Sequence, residues 1–229
     1  MNQVILIIPA FNEEKNIKTV VDNLIRNYPD LDYVVVNDGS TASTERILRD
    51  GGYNHITLPV NLGLAGCFQT GMKYAWEKGY SCAVQFDGDG QHRAEYVAEM
   101  KAKMDEGYSI VIGSRFVNHK KNYSLRMVGS RLIGLAIWLT TGARVSDPTS
   151  GMRMFDREMI EKFAYRMNYG PEPDTISLLK HQGGNVAEVR VVIVERKGGE
   201  SYLKPGVAVK YMLRMLTSIL VIQNFRGRG

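Results

Sequence analysis

The chain has 229 residues, of which 44% are hydrophobic and 23% are charged, and its formal net charge is +5. These values are ordinary for a globular protein and argue against disorder, while the positive charge favours anionic partners such as phosphates or an acidic membrane face. Two cysteines exclude a disulfide framework or a cysteine-based metal cluster, so Cys67 and Cys82 are interpreted as buried free thiols, which suits a reducing cytoplasm.

In the first half of the chain, apolar runs typical of strands alternate with helical patterns. The predicted strands span 4–10, 33–40, 55–59, 82–86 and 109–114, and the predicted helices span 13–26, 43–50, 64–78 and 94–107. Strands that are apolar throughout and separated by helices predict a parallel sheet that is covered on both faces. The predicted fold class is therefore α/β.

The second half of the chain has a less regular pattern. An amphipathic helix pair is predicted over 122–143, an alternating strand over 186–195 and an amphipathic helix over 206–225. No segment reaches the roughly 18 uncharged apolar residues that a membrane span needs. The stretches 132–143 and 215–225 come closest, and basic residues flank both. This pattern is typical of helices that lie on an acidic membrane surface or pack in a core.

Polar side chains follow the predicted strands at the points where the strands end. Because the ligands of open parallel sheets bind outside the carboxyl ends of the strands, we expect these side chains to surround a binding site. They are Asn12, Glu13, Asn37, Asp38, Asp87, Asp89, Ser114 and Arg115.

The segment Asp87–Gln91 places two carboxylates and an amide directly after an apolar strand. Neighbouring carboxylates repel each other unless a cation lies between them, and Mg²⁺ or Mn²⁺ prefers such oxygen ligands. The alternative is a plain Asp/Gly turn after a strand. The four histidines have no spacing suited to zinc, and only His92, which follows this loop, is a candidate to take part.

Several function classes lack their characteristic motifs. The first strand is followed by no GxGxxG, and no GxxxxGK[ST] occurs, which argues against dinucleotide-binding and P-loop proteins. No Ser-His-Asp or Cys-His pattern supports covalent catalysis. The basic residues are not interleaved with aromatic ones, so nucleic acid is not an expected partner.

Six motifs occur in an order that resembles the family 2 glycosyltransferases of the GT-A fold, and the branch that is most similar contains dolichol-phosphate mannose synthase and its bacterial polyprenyl-phosphate relatives. The similarity covers roughly residues 3–204. The motifs are IPAFNEE, VVVNDGST, NLGLAG, FDGDGQH, IGSRF and DPTSGMR.

The resemblance implies a Rossmann-like, mostly parallel sheet flanked by helices, with amphipathic membrane-associating helices. It implies a single GT-A domain over 1–204, with a nucleotide-binding half at 1–90 and an acceptor half at 91–204. A C-terminal amphipathic helix and basic tail occupy 205–229. That helix is expected to attach to the membrane surface, to a small membrane protein or to another copy of the chain.

The resemblance also implies roles for individual residues around the nucleotide-sugar donor. The divalent ion would be held by Asp87, Asp89 and Gln91, and Asp89 would also count as catalytic. The donor nucleotide would be bound by a larger set, namely Pro9, Phe11, Glu13, Val36, Asp38, Asp87, Gly88 and Ser201. Phe11 stands where many relatives carry Tyr.

On the acceptor side, the resemblance implies that Arg115 faces the donor and acceptor phosphates and that Arg126 and Ser130 meet the acceptor phosphate. A loop bearing Arg196, Gly199 and Ser201 would close over the site. Relatives usually have Lys directly after that serine, whereas this chain has Tyr202, with Lys204 two positions on. Asp147 would lie on the acceptor side as a catalytic or structural group.

The implied reaction is metal-dependent, inverting transfer of a sugar to polyprenyl (undecaprenyl) phosphate for cell-wall or surface polysaccharide, at the inner face of the cell membrane. UDP-glucose or UDP-N-acetylglucosamine is the expected donor. A phosphate monoester is mostly dianionic at pH 7, so it can attack without a general base. A GDP-mannose donor is one alternative.

A polysaccharide-extending enzyme, which acts on a sugar hydroxyl, is another alternative, and its base would be Asp147, Glu172 or Asp174. A nucleotide-sugar-binding module without turnover and a membrane scaffold are the alternatives that are not enzymes. Both are disfavoured by the DxD and Gly-Ser-Arg elements.

Overall fold

The computed structural model describes residues 3–116, 125–167, 170–192 and 205–223. Within these ranges the side chains of residues 42, 125–126 and 205–208 are not described. Two of the predicted site residues, Arg196 and Ser201, therefore lie outside the described residues, and so does the side chain of Arg126.

Within the described residues, seven strands form one sheet in the order β3-β2-β1-β4-β6-β5-β7. Neighbouring strands are parallel except where β6 pairs, because β6 runs antiparallel to both β4 and β5. The predicted α/β class with a mostly parallel sheet is confirmed. The strands are β1 (Val4–Ala10), β2 (Asp32–Asn37), β3 (His55–Thr57), β4 (Cys82–Gln85), β5 (Ile110–Ser114), β6 (Arg153–Asp156) and β7 (Val186–Arg190).

Helices cover both faces of the sheet, as the apolar strands predict. The α-helices are α1 (Ile17–Asn27), α2 (Ala42–Asp50), α3 (Gly63–Glu77), α4 (Val97–Asp105), α5 (Leu125–Thr141), α6 (Arg157–Glu161), α7 (Pro173–His181) and α8 (Pro205–Thr217). Short turns of other helix types occupy Ala94–Tyr96, Lys162–Arg166 and Ser218–Ile222.

The core lies in two layers, one on each face of the sheet. Along β1, Ile5 and Ile7 pack into the layer that contains Phe68 of α3, while Leu6 and Ile8 pack into the opposite layer. This alternation is the two-residue period of a strand, and because both layers are apolar the strand is hydrophobic throughout. Cys67 and Cys82 are buried free thiols, as predicted.

Three predictions about the second half of the chain need correction. The helix pair predicted over 122–143 is a single helix, α5, in the part that the structure describes. Strand β6 was not predicted, because it is only four residues long and has a charged residue at each end, Arg153 and Asp156. It therefore lacks the apolar run that indicates a buried strand. The strand predicted over 186–195 ends at Arg190 in the structure, since residues 191–192 are not part of it. Residues 193–195 lie outside the described residues. No described helix has the length and apolar content needed to cross a membrane.

Candidate functional site

A cleft of about 570 Å³ opens at the carboxyl ends of β1, β2 and β4, and we call it the strand-end cleft. Six of the eight residues predicted to bind a donor nucleotide line it: Pro9, Phe11, Glu13, Asp38, Asp87 and Gly88. The lining also includes Ala10, Asn61, Gly63, Leu64, Cys67 and Asp89. The structure therefore brings together residues that are separated by up to 80 positions in sequence, because their strands end side by side.

The predicted pocket residue Val36 does not line the cleft. It is fully buried in β2, where its carbonyl accepts a hydrogen bond from the Cys67 thiol at 3.1 Å. Burial, together with the nearby Asp38 carboxylate, raises the pKa of Cys67 to about 12. A thiol with so high a pKa is almost entirely protonated at neutral pH, so Cys67 is part of the wall and not a nucleophile.

The loops around the strand-end cleft are tied to one another. Asn12 has a φ of 55°, its main-chain N–H donates to Ser40 Oγ at 3.0 Å, and its side-chain oxygen accepts from the Thr41 main chain at 2.9 Å. Asp38 accepts a hydrogen bond of 2.7 Å from the main chain of Leu62. These contacts join three different loops, so the cleft has a preformed shape.

Gly39 shows how closely two of these loops approach each other. Its φ is +65°, and a Cβ at this position would lie 2.7 Å from the main chain of both Val60 and Asn61. Only glycine fits such a contact without displacing the neighbouring backbone. The glycine of the VNDGST motif is therefore required by packing at the cleft rim.

The loop after β4 packs against the end of β1. A Cβ at Gly88 would lie 3.0 Å from the carbonyl oxygen of Pro9, and Gly90 has a φ of +79°. Asp89 Oδ1 accepts the main-chain N–H of Gln91 at 3.0 Å. The two glycines thus let the loop turn sharply, and both carboxylates that flank Gly88 reach the lining of the cleft.

The strand-end cleft is acidic. Glu13, Asp38, Asp87 and Asp89 line it, and among the described residues that line it there is no Lys or Arg. No three His, Cys, Asp or Glu side chains are grouped as a metal site in the described part of the chain. Gln91, the third predicted ligand, is absent from the described lining. The protein therefore offers two carboxylates, a set that suits a hard divalent cation whose remaining positions are filled by water or by phosphate oxygens.

Arg115, at the end of β5, is held by the Asp147 carboxylate. The Nε and Nη2 atoms of Arg115 donate to the two carboxylate oxygens at 2.7 and 2.8 Å, and its main-chain N–H donates at 3.1 Å. Asp147 is fully buried, whereas the Arg115 side chain is 27% exposed. This two-pronged pairing fixes the plane of the guanidinium at the cleft side of the sheet.

The loop that carries Asp147 is anchored from several sides. Glu188 of β7 accepts the main-chain N–H groups of Ser146 and Asp147 at 2.7 and 2.8 Å. The fully buried Arg153 donates to three carbonyl oxygens, those of Pro148, Ser150 and Glu172, at 2.7 to 3.0 Å. A charge that is buried without a carboxylate partner needs such a complete set of acceptors. The DPTSGMR motif thus forms a rigid loop that holds Arg115.

A second cleft, of about 370 Å³, lies between α5 and the chain that follows it, and we call it the α5 cleft. Its lining combines two arginines, Arg131 and Arg144, with apolar side chains and with the predicted acceptor residue Ser130. The full lining is Phe116, Ser130, Arg131, Gly134, Leu135, Trp138, Arg144, Val145 and Ser146. Arg131, Arg144 and Trp138 were not assigned to the site from sequence, since they belong to no motif; Arg131 and Trp138 share one face of α5, and Arg144 follows the helix.

A chain of hydrogen bonds connects the α5 cleft to Arg115. Thr149 Oγ1 donates to Ser130 Oγ at 3.3 Å and lies 3.3 Å from Asp147 Oδ1, and Arg115 Nη2 donates to Thr149 at 3.4 Å. Arg126 lies one helical turn before Ser130 on α5. The predicted acceptor residues Ser130 and Asp147 are therefore neighbours in the structure, on the side of Arg115 that faces α5.

Three carboxylates are candidates for a general base, and none of them is among the described residues that line either cleft. They are Asp147, Glu172 and Asp174. Asp147 is engaged by Arg115. Asp174 is buried and accepts a hydrogen bond from Ser218 at 2.7 Å, and Glu172 pairs with Arg214 at 2.6 Å. Burial raises the pKa of Glu172, an effect that Arg214 opposes. The described contacts give these groups structural partners.

The outer surfaces of α5 and of the C-terminal helical segment carry exposed apolar rows. On α5 the row is Val128, Leu132, Leu135 and Leu139, which are 40 to 64% exposed and spaced by four, three and four residues. On the C-terminal segment it is Val209, Leu213 and Leu220, which are 45 to 58% exposed. Since α8 packs on α5, the two rows belong to one pair of helices. We call them together the apolar rows.

Comparison with known proteins gives consistent matches. The family model Glycosyl transferase family 2 matches residues 5–164. UDP-N-acetylglucosamine--dolichyl-phosphate N-acetylglucosaminyltransferase of Methanococcus voltae is 31% identical, over 81% of this chain and 83% of the relative. Polyprenol monophosphomannose synthase of Mycolicibacterium smegmatis is 29% identical, over 86% of this chain and 79% of the relative.

Among solved structures, glucosyl-3-phosphoglycerate synthase of Mycobacterium tuberculosis in complex with Mn²⁺, UDP and glucosyl-3-phosphoglycerate superposes with a TM-score of 0.71. The match covers 97% of this chain and 80% of that chain, at 18% identity. At this identity the match shows a shared fold, which is the GT-A fold expected from the motifs.

Proposed function

Since this chain belongs to glycosyl transferase family 2, we propose that it transfers a sugar from a nucleotide-sugar donor to a polyprenyl phosphate acceptor. The observation that supports this most directly is the pairing of two unlike clefts. The strand-end cleft is lined by four acidic residues, and the α5 cleft is lined by two arginines and an exposed tryptophan. The loop after Asp147 runs between them: Thr149 donates a hydrogen bond to Ser130 of the α5 cleft, and a Cβ at Gly151 would lie 3.0 Å from Asp87 Oδ2 of the strand-end cleft.

In this proposal the strand-end cleft binds the donor. Phe11 and Pro9 offer an apolar wall for the base, and Asp38 lies within the lining where it can accept hydrogen bonds from base or ribose. A diphosphate in a cleft lined by four carboxylates needs a cation, and Asp87 and Asp89 would hold Mg²⁺ or Mn²⁺ there. When bound, such an ion neutralises charge on the departing nucleoside diphosphate.

The lining of the α5 cleft suits a phosphorylated isoprenoid, because it combines positive charge with apolar side chains. Arg131 and Arg144 can pair with phosphate oxygens, while Trp138 and Leu135 offer apolar contact for the first isoprene units. Arg115 would meet the phosphates from the strand-end side, where Asp147 restrains it. We further propose that Arg126 and Ser130 contact the acceptor phosphate and that Arg196 and Ser201 belong to the closing loop.

The proposed reaction needs no general base. The acceptor phosphate is mostly dianionic at neutral pH, so its oxygen attacks the anomeric carbon directly while the bond to the nucleoside diphosphate breaks. A single displacement inverts the anomeric centre. The described contacts of Asp147, Glu172 and Asp174 support this account, because each carboxylate already has a structural partner. The protein's contribution is then positioning and charge neutralisation.

Two donor classes remain in contention. UDP-glucose or UDP-N-acetylglucosamine is the proposed donor, supported by the name of the Methanococcus voltae relative, which specifies UDP-N-acetylglucosamine. A mannosyl donor such as GDP-mannose is the second candidate, supported by the Mycolicibacterium smegmatis relative and by undecaprenyl-phosphate mannosyltransferase of Micrococcus luteus, which is 27% identical over 90% of this chain.

We propose that the protein works at the cytoplasmic face of a membrane and touches the bilayer through the apolar rows. Burying an apolar side chain of this size is worth about 1.5–3 kcal/mol, so several together give measurable binding. Arg131, Arg144 and Lys210 are exposed close to the rows in sequence and suit anionic headgroups. Two buried free thiols suit a reducing compartment.

A transfer assay tests the proposed function and identifies the sugar. The protein would be incubated with Mn²⁺ and short-chain polyprenyl phosphate, and with one radiolabelled donor at a time from a panel of UDP-sugars and GDP-mannose. Label that moves into the organic phase with one donor supports the proposal and names the donor class. Label that moves only onto an added glycan would contradict the acceptor and support the polysaccharide-extending alternative.

A further inference from the structure

His92 is a buried side chain in contact with Asp87, which lines the strand-end cleft. The residue is 8% exposed, and its ring packs edge-on against Phe86 with centroids 5.7 Å apart. Both ring nitrogens face Asp87. The Asp87 main-chain N–H donates to Nδ1 at 2.9 Å, and Nε2 lies 3.4 Å from Asp87 Oδ2.

The hydrogen bond to Nδ1 fixes which nitrogen of His92 carries the proton. A main-chain N–H can only donate, so Nδ1 must present its lone pair. The ring proton is then on Nε2, the atom next to Asp87 Oδ2. A nitrogen that carries a proton has no lone pair to give to a metal ion. His92 is therefore placed as a donor toward the Asp87 carboxylate and not as a metal ligand.

Gly151 closes the other side of the same carboxylate. A Cβ at this position would lie 3.0 Å from Asp87 Oδ2 and 3.4 Å from His92 Cε1. Gly151 belongs to the loop that holds Arg115 through Asp147. The absence of a side chain at Gly151 thus leaves room for the Asp87–His92 pair, and a methyl group there would require one of the two side chains to shift by a few tenths of an ångström.

We propose that His92 is a positioning residue that restrains the Asp87 carboxylate for metal binding, and that Gly151 leaves the space for this contact. One carboxylate oxygen, Oδ2, lies 3.4 Å from His92 Nε2 and faces the space that Gly151 leaves, so Oδ1 is the oxygen offered to the cation. The proposal rests on the proposed function, since it takes Asp87 as a metal ligand. Groups that orient a metal ligand in this way typically contribute about 10–100-fold to metal affinity.

The test is Mn²⁺ affinity in the presence of UDP, measured by electron paramagnetic resonance on the free-ion signal. His92→Phe keeps the ring volume but removes both polar contacts, and it should weaken Mn²⁺ binding by about 10–100-fold. His92→Gln retains a donor at the Nε2 position and should lose less. Gly151→Ala should weaken binding as well. His55→Gln, on the edge strand β3, is the matched control and should bind as the wild type does.

A second measurement starts from the wild type, so its first result does not depend on the folding of a variant. Pulsed electron paramagnetic resonance of the wild-type Mn²⁺–UDP complex should show no directly bound histidine nitrogen. A histidine coupling that disappears in His92→Gln would overturn the proposal and make His92 a ligand. Unchanged Mn²⁺ affinity in both His92 variants would overturn the positioning role while leaving the metal site intact. Absence of Mn²⁺ binding to the wild type would refute the metal site itself, and the role of His92 with it.

Discussion

The strand-end cleft and the α5 cleft differ in the charge of their linings and in the elements that form them. The first is acidic and is formed by loops that leave neighbouring strands and hydrogen-bond to one another. The second is basic and apolar and is formed by one face of a helix and the short segment after it. The difference indicates a division of labour, in which a cation mediates binding on one side and arginines bind an anion directly on the other.

The sharpest way to break this comparison is to remove a carboxylate from the acidic side. Asp89→Asn should lower turnover by about 10³-fold or more, because metal stabilisation of a leaving group is worth several kcal/mol and each 1.36 kcal/mol is tenfold in rate. Steady-state release of nucleoside diphosphate measures the effect. Asp105→Asn, which alters a surface carboxylate paired with Lys101, is the control and should keep full activity. Equal turnover in the two variants would refute the acidic cleft as a metal site.

The connection between the clefts is tested at Asp147. Asp147→Asn leaves Arg115 without its charged partner, so we expect turnover to fall by about 10²-fold and the free energy of unfolding to fall by about 3 kcal/mol. Denaturant melts and the rate at several pH values measure these effects. The pH–rate profile should keep its shape. Loss of the acidic limb of that profile, where a carboxylate base would become protonated, with stability unchanged, would instead make Asp147 a general base.

A substitution with a smaller expected effect tests which substrate the α5 cleft binds. Arg144→Gln removes one of the two positive charges of the α5 cleft and should raise the KM for polyprenyl phosphate by about tenfold, since a hydrogen bond to a charged group is worth about 1.5–3 kcal/mol. The KM for the donor should stay constant. Arg93→Gln, which alters a surface arginine paired with Glu95, is the control. A rise in the donor KM alone would show that the α5 cleft serves the donor.

The smallest expected effect concerns the apolar rows. Leu139→Ser combined with Leu213→Ser should reduce sedimentation with anionic lipid vesicles by about tenfold, because two side chains that are 64 and 58% exposed would no longer enter the bilayer. Ile25→Ser, at an exposed leucine-sized residue on α1, should bind as the wild type does. If the wild type ignores vesicles, a second copy or a small membrane protein becomes the better occupant of the rows.

The two clefts also differ in how far the sequence predicts them. Six of the eight predicted donor residues meet in the strand-end cleft, because parallel strands end at one edge and bring their following residues together. Val36 is the exception among those described. Its side chain is buried in the core layer that contains Phe68 of α3. Successive side chains of a strand point to opposite faces of the sheet, so a step of one residue decides which face a side chain occupies.

The α5 cleft escaped prediction for a physical reason. Arg131 and Trp138 are seven positions apart on one face of α5, but their spacing does not show that Phe116 and Arg144, from the segments before and after the helix, complete a cleft there. The bond between Arg115 and Asp147 joins residues 32 positions apart, and neither motif predicts the other as its partner. Likewise β6 pairs with β4 and β5 although it carries the buried Arg153, and no local pattern reveals the carbonyl oxygens that accept hydrogen bonds from this side chain.

The most direct test of the account measures nucleoside diphosphate release in four mixtures, with and without Mn²⁺ and with and without short-chain polyprenyl phosphate. The donor would be the nucleotide-sugar identified in the transfer assay. If both clefts act in one reaction, release should be rapid only in the mixture that contains both additions. Release that needs Mn²⁺ but is unaffected by polyprenyl phosphate would contradict the account, because the basic cleft would then not bind the acceptor.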